Sequence, residues 1–329
     1  MSHSALAQEF DCVLFDLDGV LYRGPHPVDG AVEAVNELMR LGIGRSYITN
    51  NAGRTPDVVA EHLTSLGMPT RPDEVVTSAQ AGAAIVVSKV PSGSRVFAVG
   101  GEGVMVALAE VGLQPSREPE GCVAVMQGYG PDVGWRELAE ASYLIQSGAL
   151  WVATNLDLTF PTDRGIAPGN GSLVQAVANS VGREPDGVGG KPAPALLDLV
   201  FRRTGAVKPL MVGDRYDTDI EAGIGAGIKT LLVLSGVCDT TSVWTSELRA
   251  DYLGETAAAL TVPYPHVHIA GDSATCNSAV AHWVGEGVRA RGGTRIDQLR
   301  AADALKWERV KESGIEPFVA GKFILHLTD

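Results

Sequence analysis

The chain has 329 residues, 45% hydrophobic and 20% charged, a composition typical of a globular protein with a substantial core. Its formal net charge of −13 argues against a nucleic-acid scaffold, which needs a basic surface to displace condensed counterions. The sequence contains no run of about 18 uninterrupted apolar residues, so we expect no membrane span.

The termini and the cysteines predict a cytoplasmic protein. Met1–Phe10 has neither the basic nor the apolar region of a secretory signal. The four cysteines are far apart and lack CxxC spacing, which indicates reduced thiols rather than a disulfide framework: Cys12, Cys122, Cys238 and Cys276. The oligomeric state stays open, a homo-oligomer included.

Alternating strand-like and helix-like patterns fill the first 80 residues and resume near residue 194. This order predicts a doubly wound parallel sheet. The predicted elements are strand Cys12–Phe15, helix Val28–Arg40, strand Ile43–Thr49, helix Pro56–Leu66, strand Glu74–Thr77, helix Pro194–Arg203, strand Leu210–Val212, helix Thr218–Ala226, strand Thr230–Leu234, and a last strand and helix within Asp251–Leu260.

The stretch between these two parts has a strand and helix order of its own, which predicts an inserted α/β unit. Its expected junctions with the surrounding fold lie near Ala79–Lys89 and Gly182–Gly189. We predict strands at Arg95–Val99, Cys122–Met126 and Trp151–Thr154, and helices at Gly103–Val111, Trp135–Gln146 and Ser172–Val181.

The pattern changes again after the Pro-containing segment Val262–Pro265. Here we predict a strand at His266–Ile269, helices at Ser278–Arg291 and Ile296–Glu312, and a strand at Phe318–Leu327. The predicted architecture is therefore an α/β Rossmann-like core (1–80 and 188–262), an inserted α/β cap (81–187) and a short α/β C-terminal extension (263–329) of unknown role.

Two carboxylates end the first predicted strand, in Phe15-Asp16-Leu17-Asp18-Gly19-Val20. Alternate strand residues share a face, so Asp16 and Asp18 can lean to one side, at the strand end where open α/β sheets bind ligands. Carboxylates this close repel each other unless a cation or a proton compensates. A solvated acidic turn is the alternative interpretation.

The predicted strand Leu210–Val212 also ends in an acid, Asp214, which Asp217 and Asp219 follow. Mg²⁺ favours carboxylate oxygens and water, and Asp16, Asp214 and a backbone carbonyl near Asp18 can supply such ligands. The alternative for Asp214 is a helix N-cap.

A third strand end and a glycine-flanked lysine complement the acids. The Thr49 hydroxyl and the backbone N–H groups after it can hold phosphate oxygens, and Lys191 in Gly189-Gly190-Lys191-Pro192 can balance phosphate charge. A helix N-cap is the alternative for Thr49, and a solvated surface position is the alternative for Lys191.

Together these segments resemble the haloacid dehalogenase superfamily. Its four motifs match, in order, Asp16-Leu17-Asp18-Gly19, Thr49-Asn50-Asn51, Lys191-Pro192, and Gly213-Asp214 with Asp219. The insertion resembles the large α/β (type C2) cap of the 4-nitrophenylphosphatase and phosphoglycolate phosphatase-like branch, with Ala153-Thr154-Asn155-Leu156-Asp157 and Pro168-Gly169-Asn170-Gly171-Ser172 as matching segments. The resemblance covers Phe10–Val262 and leaves the tail unexplained.

What the resemblance implies is a Mg²⁺-dependent phosphatase. In it Asp16 is the nucleophile that forms an aspartyl-phosphate, and Asp18 is the general acid and base. The other implied residues are Gly19, Thr49, Asn50, Asn51 and Lys191 for phosphate, Asp16, Asp18 and Asp214 for the metal, and Asp219 for orienting a metal-bound water.

Substrate selection falls to the cap. The turn-rich loop Gln127–Trp135 is the best candidate, and Asp132 near its tip can accept hydrogen bonds from a polyol; a plain surface turn is the alternative. The cap and tail together resemble actinobacterial phosphatases of glycerol 3-phosphate, which implies that substrate. Phosphoglycolate, pyridoxal phosphate and a nucleoside monophosphate are the alternatives, and a phosphotransferase, a mutase or a non-catalytic binding protein are the alternative classes.

Two further patterns favour structural interpretations. The glycine-rich Val99–Val104 lacks the third glycine of a dinucleotide loop, which indicates a tight strand-to-helix turn. The spacings of His266, His268, Cys276 and His282 match no common zinc pattern, so we expect alternating histidines on an edge strand.

The expected partner is a small phosphorylated metabolite, with no nucleic acid and no membrane.

Overall fold

The structure, a computed structural model, describes residues 4–162, 164–285, 287–313 and 324–328. The chain divides into a first unit, Met1–Gly44 with Lys208–Asp329, and a second unit, Arg45–Val207. This division differs from the boundaries expected for core, cap and extension, which stay a prediction.

Strands and helices alternate along most of the described chain. The strands are β1 (Cys12–Phe15), β2 (Tyr22–Arg23), β3 (His26–Pro27), β4 (Gly44–Thr49), β5 (Val75–Thr77), β6 (Arg95–Val99), β7 (Gln114–Ser116), β8 (Ala124–Gln127), β9 (Leu150–Ala153), β10 (Thr159–Thr162), β11 (Gly165–Pro168), β12 (Gly187–Val188), β13 (Pro209–Gly213), β14 (Lys229–Val233), β15 (Tyr252–Gly254), β16 (Val267–Ala270), β17 (Ser273–Cys276), β18 (Ala279–Val284), β19 (Gly287–Arg291) and β20 (Ile324–Leu327). The α-helices are α1 (Ala31–Leu41), α2 (Pro56–Ser65), α3 (Ser78–Lys89), α4 (Glu102–Glu110), α5 (Trp135–Gln146), α6 (Asn170–Val181), α7 (Ala195–Thr204), α8 (Glu221–Gly225), α9 (Thr240–Thr245) and α10 (Arg295–Ser313).

A parallel sheet forms the centre of the first unit, with its strands in the order β15-β14-β13-β1. Every residue of β1 and of β13 is buried, as expected for strands that are covered on both faces. The register pairs Phe15 with Val212, so β1 and β13 end at the same edge of the sheet.

The second unit contains the parallel pair β4 and β5 and a sheet in the order β12-β9-β8-β6-β7. One face of this sheet packs on α3 and α4 through Ala83 and Val104, and the other packs on α5 and α6 through Ile145 and Val177. The predicted α/β fold class with an inserted α/β unit is confirmed. The segment near Ala79–Lys89, where one junction is expected, lies in helix α3, which begins at a capping box on Thr77; the junction itself stays a prediction.

The tail belongs to the first unit and forms a sheet in the order β16-β17-β18-β19-β20, with β20 parallel to β19. Helix α10 packs on this sheet, and Ala301, Ala302 and Leu305 are buried against it. The predicted helix Ile296–Glu312 is confirmed. Of the predicted strand Phe318–Leu327, residues 324–327 form β20, and residues 318–323 lie outside the described residues.

The prediction of a helix at Ser278–Arg291 was wrong, because this segment forms the antiparallel strands β18 and β19. Burial alternates along it: Val288 and Ala290 are buried, whereas Arg289 and Arg291 are exposed. A two-residue period is the signature of a half-buried strand rather than of a helix.

Within the described ranges, no helix is both long and apolar enough to cross a membrane.

Candidate active site

Three aspartates converge at the edge where β1 and β13 end. Asp16, Asp214 and Asp219 each offer a carboxylate oxygen within 4.8 Å of the others. Asp214 and Asp219 are only 2% and 1% exposed, whereas Asp16 is half-buried and so accessible to a ligand. The Asp16 N–H donates to Val212 O at 2.9 Å, so the β-ladder itself brings the two strand ends together.

Asp18 and Gly19 lie in the tight turn after β1. The Leu17 carbonyl accepts the N–H groups of Val20 and Leu21, and Gly19 N–H donates back to Tyr22 O at 2.9 Å. Asp18 is exposed, and its expected role as general acid and base stays a prediction. Gly19 has φ of 85°, and a Cβ there would lie 2.6 Å from Asp214 Oδ2.

The loop between β14 and α9 holds the carboxylate of Asp214 in place. Val237 N–H donates to Asp214 Oδ2 at 2.6 Å, and Cys238 N–H donates to the Asp214 carbonyl at 3.1 Å. On the same loop, Ser235 Oγ donates to Gly19 O at 2.7 Å. Gly236 passes so close to Asp214 that a Cβ would overlap its carboxylate.

Asp219 is held by backbone groups. Its Oδ2 accepts the N–H groups of Asp214 and Arg215, both at 3.1 Å, from within a π-helical turn at Tyr216–Ile220. Asp217, in the same turn, accepts two hydrogen bonds from the Arg215 guanidinium, and these bonds hold the pKa of Asp217 below its ordinary value.

These carboxylates fit a hard divalent cation. Three acidic groups this close repel one another unless positive charge lies between them, and oxygen ligands are what Mg²⁺ prefers. One carboxylate oxygen of Asp219 already accepts two backbone hydrogen bonds. Asp219 is therefore better placed to orient a metal-bound water than to bind the metal directly. Its expected role, like those of the other site residues, stays a prediction.

The second unit carries the other expected site residues. Thr49, at the end of β4, and Lys191 are only 4% and 3% exposed. Between their segments lies Asn50, whose Oδ1 accepts Lys191 N–H at 2.8 Å and whose Nδ2 donates to Lys191 O at 3.0 Å. Asn50 therefore ties the strand-end loop after Thr49 to the backbone of the lysine.

The same asparagine also joins a cap segment. Asn50 Nδ2 donates to Asp157 Oδ2 at 3.1 Å, and the Asn50 carbonyl accepts Asn155 Nδ2 at 2.6 Å. Asn155 and Asp157 lie in the segment that resembles a cap signature, and that resemblance implies no role for them in the site. Asn155 and Asp157 are separated from Asn50 by 105 and 107 positions, so no local sequence pattern predicts these contacts.

Asn51 and Asp132 are exposed. The Asn51 side chain accepts Gly53 N–H at 2.9 Å and its own N–H donates to Thr49 Oγ1 at 3.0 Å, so it shapes the turn. The loop that carries Asp132 is anchored at its base, where Tyr129 O accepts Gly101 N–H and the Tyr129 ring meets Phe160 edge-on at 4.9 Å.

Comparison with known proteins agrees with this geometry. A haloacid dehalogenase-like hydrolase model matches residues 13–114, and a HAD-hydrolase-like model matches residues 188–260. An acid sugar phosphatase of Staphylococcus epidermidis is 35% identical over 247 residues, which span 74% of this chain and 94% of that protein. The chain belongs to the haloacid dehalogenase-like hydrolases.

Two further proteins are similar to this chain. D-glycerol 3-phosphate phosphatase of Mycobacterium tuberculosis is 45% identical over 234 residues, 71% of this chain and 65% of that protein's length. The crystal structure of a glycerol phosphate phosphatase from M. tuberculosis in complex with magnesium has a TM-score of 0.82 at 37% identity and covers 93% of this chain and 92% of that chain.

Proposed function

We propose that this chain is a Mg²⁺-dependent phosphatase that hydrolyses a small phosphomonoester through an aspartyl-phosphate on Asp16. The observation that carries the proposal is the convergence of the Asp16, Asp214 and Asp219 carboxylates within 4.8 Å at one sheet edge. Asp16 is the accessible member of the three, as a nucleophile must be.

The chain's own residues divide the work. A carboxylate oxygen of Asp16 attacks phosphorus and the bond to the leaving oxygen breaks, while Asp18 gives that oxygen its proton. Asp18 then accepts a proton from the water that attacks the aspartyl-phosphate, and inorganic phosphate leaves. Thr49 and Lys191 bind phosphoryl oxygens and balance their charge.

Asp16, Asp214 and a backbone carbonyl near Asp18 would hold Mg²⁺, with Asp219 orienting its water. When bound, the ion would offset the repulsion between the phosphate and the surrounding carboxylates. The magnesium complex of the glycerol phosphate phosphatase from M. tuberculosis supports this choice of metal.

Glycerol 3-phosphate is the substrate we propose, with glycerol and phosphate as products. The similarity to the D-glycerol 3-phosphate phosphatase of M. tuberculosis supports it. The loop that bears Asp132 would face the polyol end.

All four cysteines are free thiols, which supports a cytoplasmic location.

A phosphate-release screen of small phosphomonoesters with and without Mg²⁺ tests the proposal. Glycerol 3-phosphate should give the highest kcat/KM, and Asp16→Asn should lower phosphate release by at least about a thousandfold while the fold is kept. Retained turnover in Asp16→Asn would refute the nucleophile. Transfer of phosphate to an added acceptor in place of release would instead identify a phosphotransferase.

A further inference from the structure

We propose that the C-terminal subdomain, residues 267–285, 287–313 and 324–327, positions the carboxylate site of the first unit, with Lys306 as a positioning residue. This inference rests on the magnesium site of the proposed function. It gives a role to the segment that neither the strand-end acids nor the matched family models include.

Two segments that follow Asp214 along the chain pack on this subdomain. Tyr216 and Ile220 follow Asp214 along the chain, and Leu234 and Cys238 flank the loop that binds it. All four belong to one apolar cluster with subdomain residues Ile296, Leu299, Leu325 and Leu327. The subdomain therefore forms part of the wall behind Asp214 and Asp219.

Lys306, on α10, makes a specific polar contact with the end of α9. Its side chain is fully buried, and Nζ donates to Trp244 O at 2.7 Å and to Ser246 O at 2.6 Å. These carbonyls lie at the C-terminal end of α9, where helix carbonyls lack partners and a cation is favourable. A buried ammonium is costly unless its hydrogen bonds are made, so Lys306 fixes α9 in one place.

Arg300, six residues earlier on α10, makes a second fixed contact. Its Nε and Nη2 both donate to Leu253 O, at 3.0 and 2.7 Å, and Leu253 lies in β15 beside β14. The subdomain thus holds both the strand next to β14 and the helix after it.

Helix α9 passes this restraint on to Asp214. Asp239 caps its first turn, accepting Ser242 N–H at 2.8 Å, and the two preceding residues, Val237 and Cys238, donate to Asp214. With Gly236 already in contact with the carboxylate, a small shift of α9 changes the position of Asp214. Groups that orient metal ligands commonly change metal affinity about 10–100-fold when they are mutated.

The test compares Lys306→Met with Lys311→Met, an exposed lysine on the same helix, in the full-length protein. We expect calorimetric titration with Mg²⁺ to give a Kd raised about tenfold in Lys306→Met and unchanged in Lys311→Met. Amide exchange at Val237, whose N–H donates to Asp214, should become faster in Lys306→Met alone. Wild-type Mg²⁺ affinity in a folded Lys306→Met protein would overturn the proposal.

A second matched pair keeps the test decisive if Lys306→Met does not fold. Leu299 lies in the cluster that α10 shares with the segments around Asp214, whereas Leu108 lies in a cluster of the second unit, and both are buried. Leu299→Ala should weaken Mg²⁺ binding several-fold more than Leu108→Ala does. Equal effects would mean that general loosening, not positioning, is measured, and would overturn the proposal.

The same titrations separate this inference from the proposed function. If the wild-type protein binds Mg²⁺ and Asp214→Asn does not, the metal site stands, and the Lys306 and Leu299 variants decide the positioning role. If the wild-type protein binds no Mg²⁺, the magnesium site of the proposed function fails and the positioning proposal fails with it.

Discussion

At the scale of single residues, Asn50 acts through its neighbours. Both polar atoms of its side chain are used, one for Lys191 N–H and the other for Lys191 O and Asp157. The adjacent Asn51 is exposed and its side chain makes a local turn bond to Gly53. Two neighbouring asparagines of one motif therefore have different physical roles.

Replacing each asparagine by alanine should separate these roles. Asn50→Ala removes the hydrogen bonds that Asn50 makes to Lys191 N–H and Lys191 O, so we expect it to lower the free energy of unfolding by about 2–4 kcal/mol and to reduce kcat/KM. Asn51→Ala should cost less than about 1 kcal/mol. Urea denaturation measures both values, and equal losses would contradict the roles assigned here.

The buried carboxyl of Asp303 should make stability depend on pH. It accepts Trp307 Nε1–H at 3.0 Å, and burial raises the pKa of Asp303 to about 6, although Arg249 and Lys306 oppose that rise. Because the folded-state pKa lies above the ordinary value, the contribution is fully present below about pH 4 and is lost as pH rises through about 6.

Asp303→Asn removes this titration. Relative to wild type, the free energy of unfolding of the variant should rise by about 3 kcal/mol between pH 4 and pH 7.5, because burial raises the pKa of Asp303 from 3.8 to about 6. Urea unfolding followed by tryptophan emission measures it, since Trp307 contacts the carboxyl. A difference between the two proteins that does not change with pH would show that Asp303 titrates normally.

At the scale of elements, the loop from β14 to α9 is shaped by a single small residue. A Cβ at Gly236 would overlap the Asp214 carboxylate, whereas a Cβ at Gly225, in α8, would meet nothing within 4 Å. Gly236→Ala should weaken Mg²⁺ binding at least about tenfold in calorimetry. Gly225→Ala should leave Mg²⁺ binding unchanged and raise the free energy of unfolding by up to about 1 kcal/mol. Equal Mg²⁺ affinities of the two variants would contradict the close contact between Gly236 and Asp214.

The hairpin of β18 and β19 shows where an element was misjudged. A helix is predicted at Ser278–Arg291, but Gly285, with φ of 59°, turns the chain, and burial alternates from Val288 to Arg291. The turn glycine and the two-residue alternation of apolar and polar residues can both be seen in the sequence. Together they outweigh intrinsic helix propensity, which is only a weak guide.

At the scale of the whole molecule, the first unit depends on its tail for burial. Removing the chain after Val262 would uncover Ile220, Val243 and Leu253, which are buried in the cluster shared with α10 and β20. We expect the truncated protein to unfold at least about 10 °C lower or to be insoluble, because exposed apolar area costs about 25 cal/mol per Å². Thermal unfolding measures this, and an equally stable, fully active fragment would show that the tail is dispensable.

Sequence alone was enough to predict the α/β fold, the inserted unit and the acids at the ends of two strands. Each of these is a local pattern, since apolar runs, helical spacing and an acid after a strand are all read within a few residues. Asp16 and Asp214 could be predicted to meet because parallel strands end at one edge of a sheet.

Only the tertiary structure decided what holds those acids and the lysine in place. Asn50 meets Lys191 across 141 positions, and Lys306 meets Trp244 across 62. No residue next to Lys191 or Lys306 in the sequence indicates which distant group it contacts. Both lysines are buried, although a lysine is ordinarily expected to be solvated. Hydrogen bonds between distant segments depend on how the chain packs, so a local pattern identifies the reacting residues but not the residues that position them.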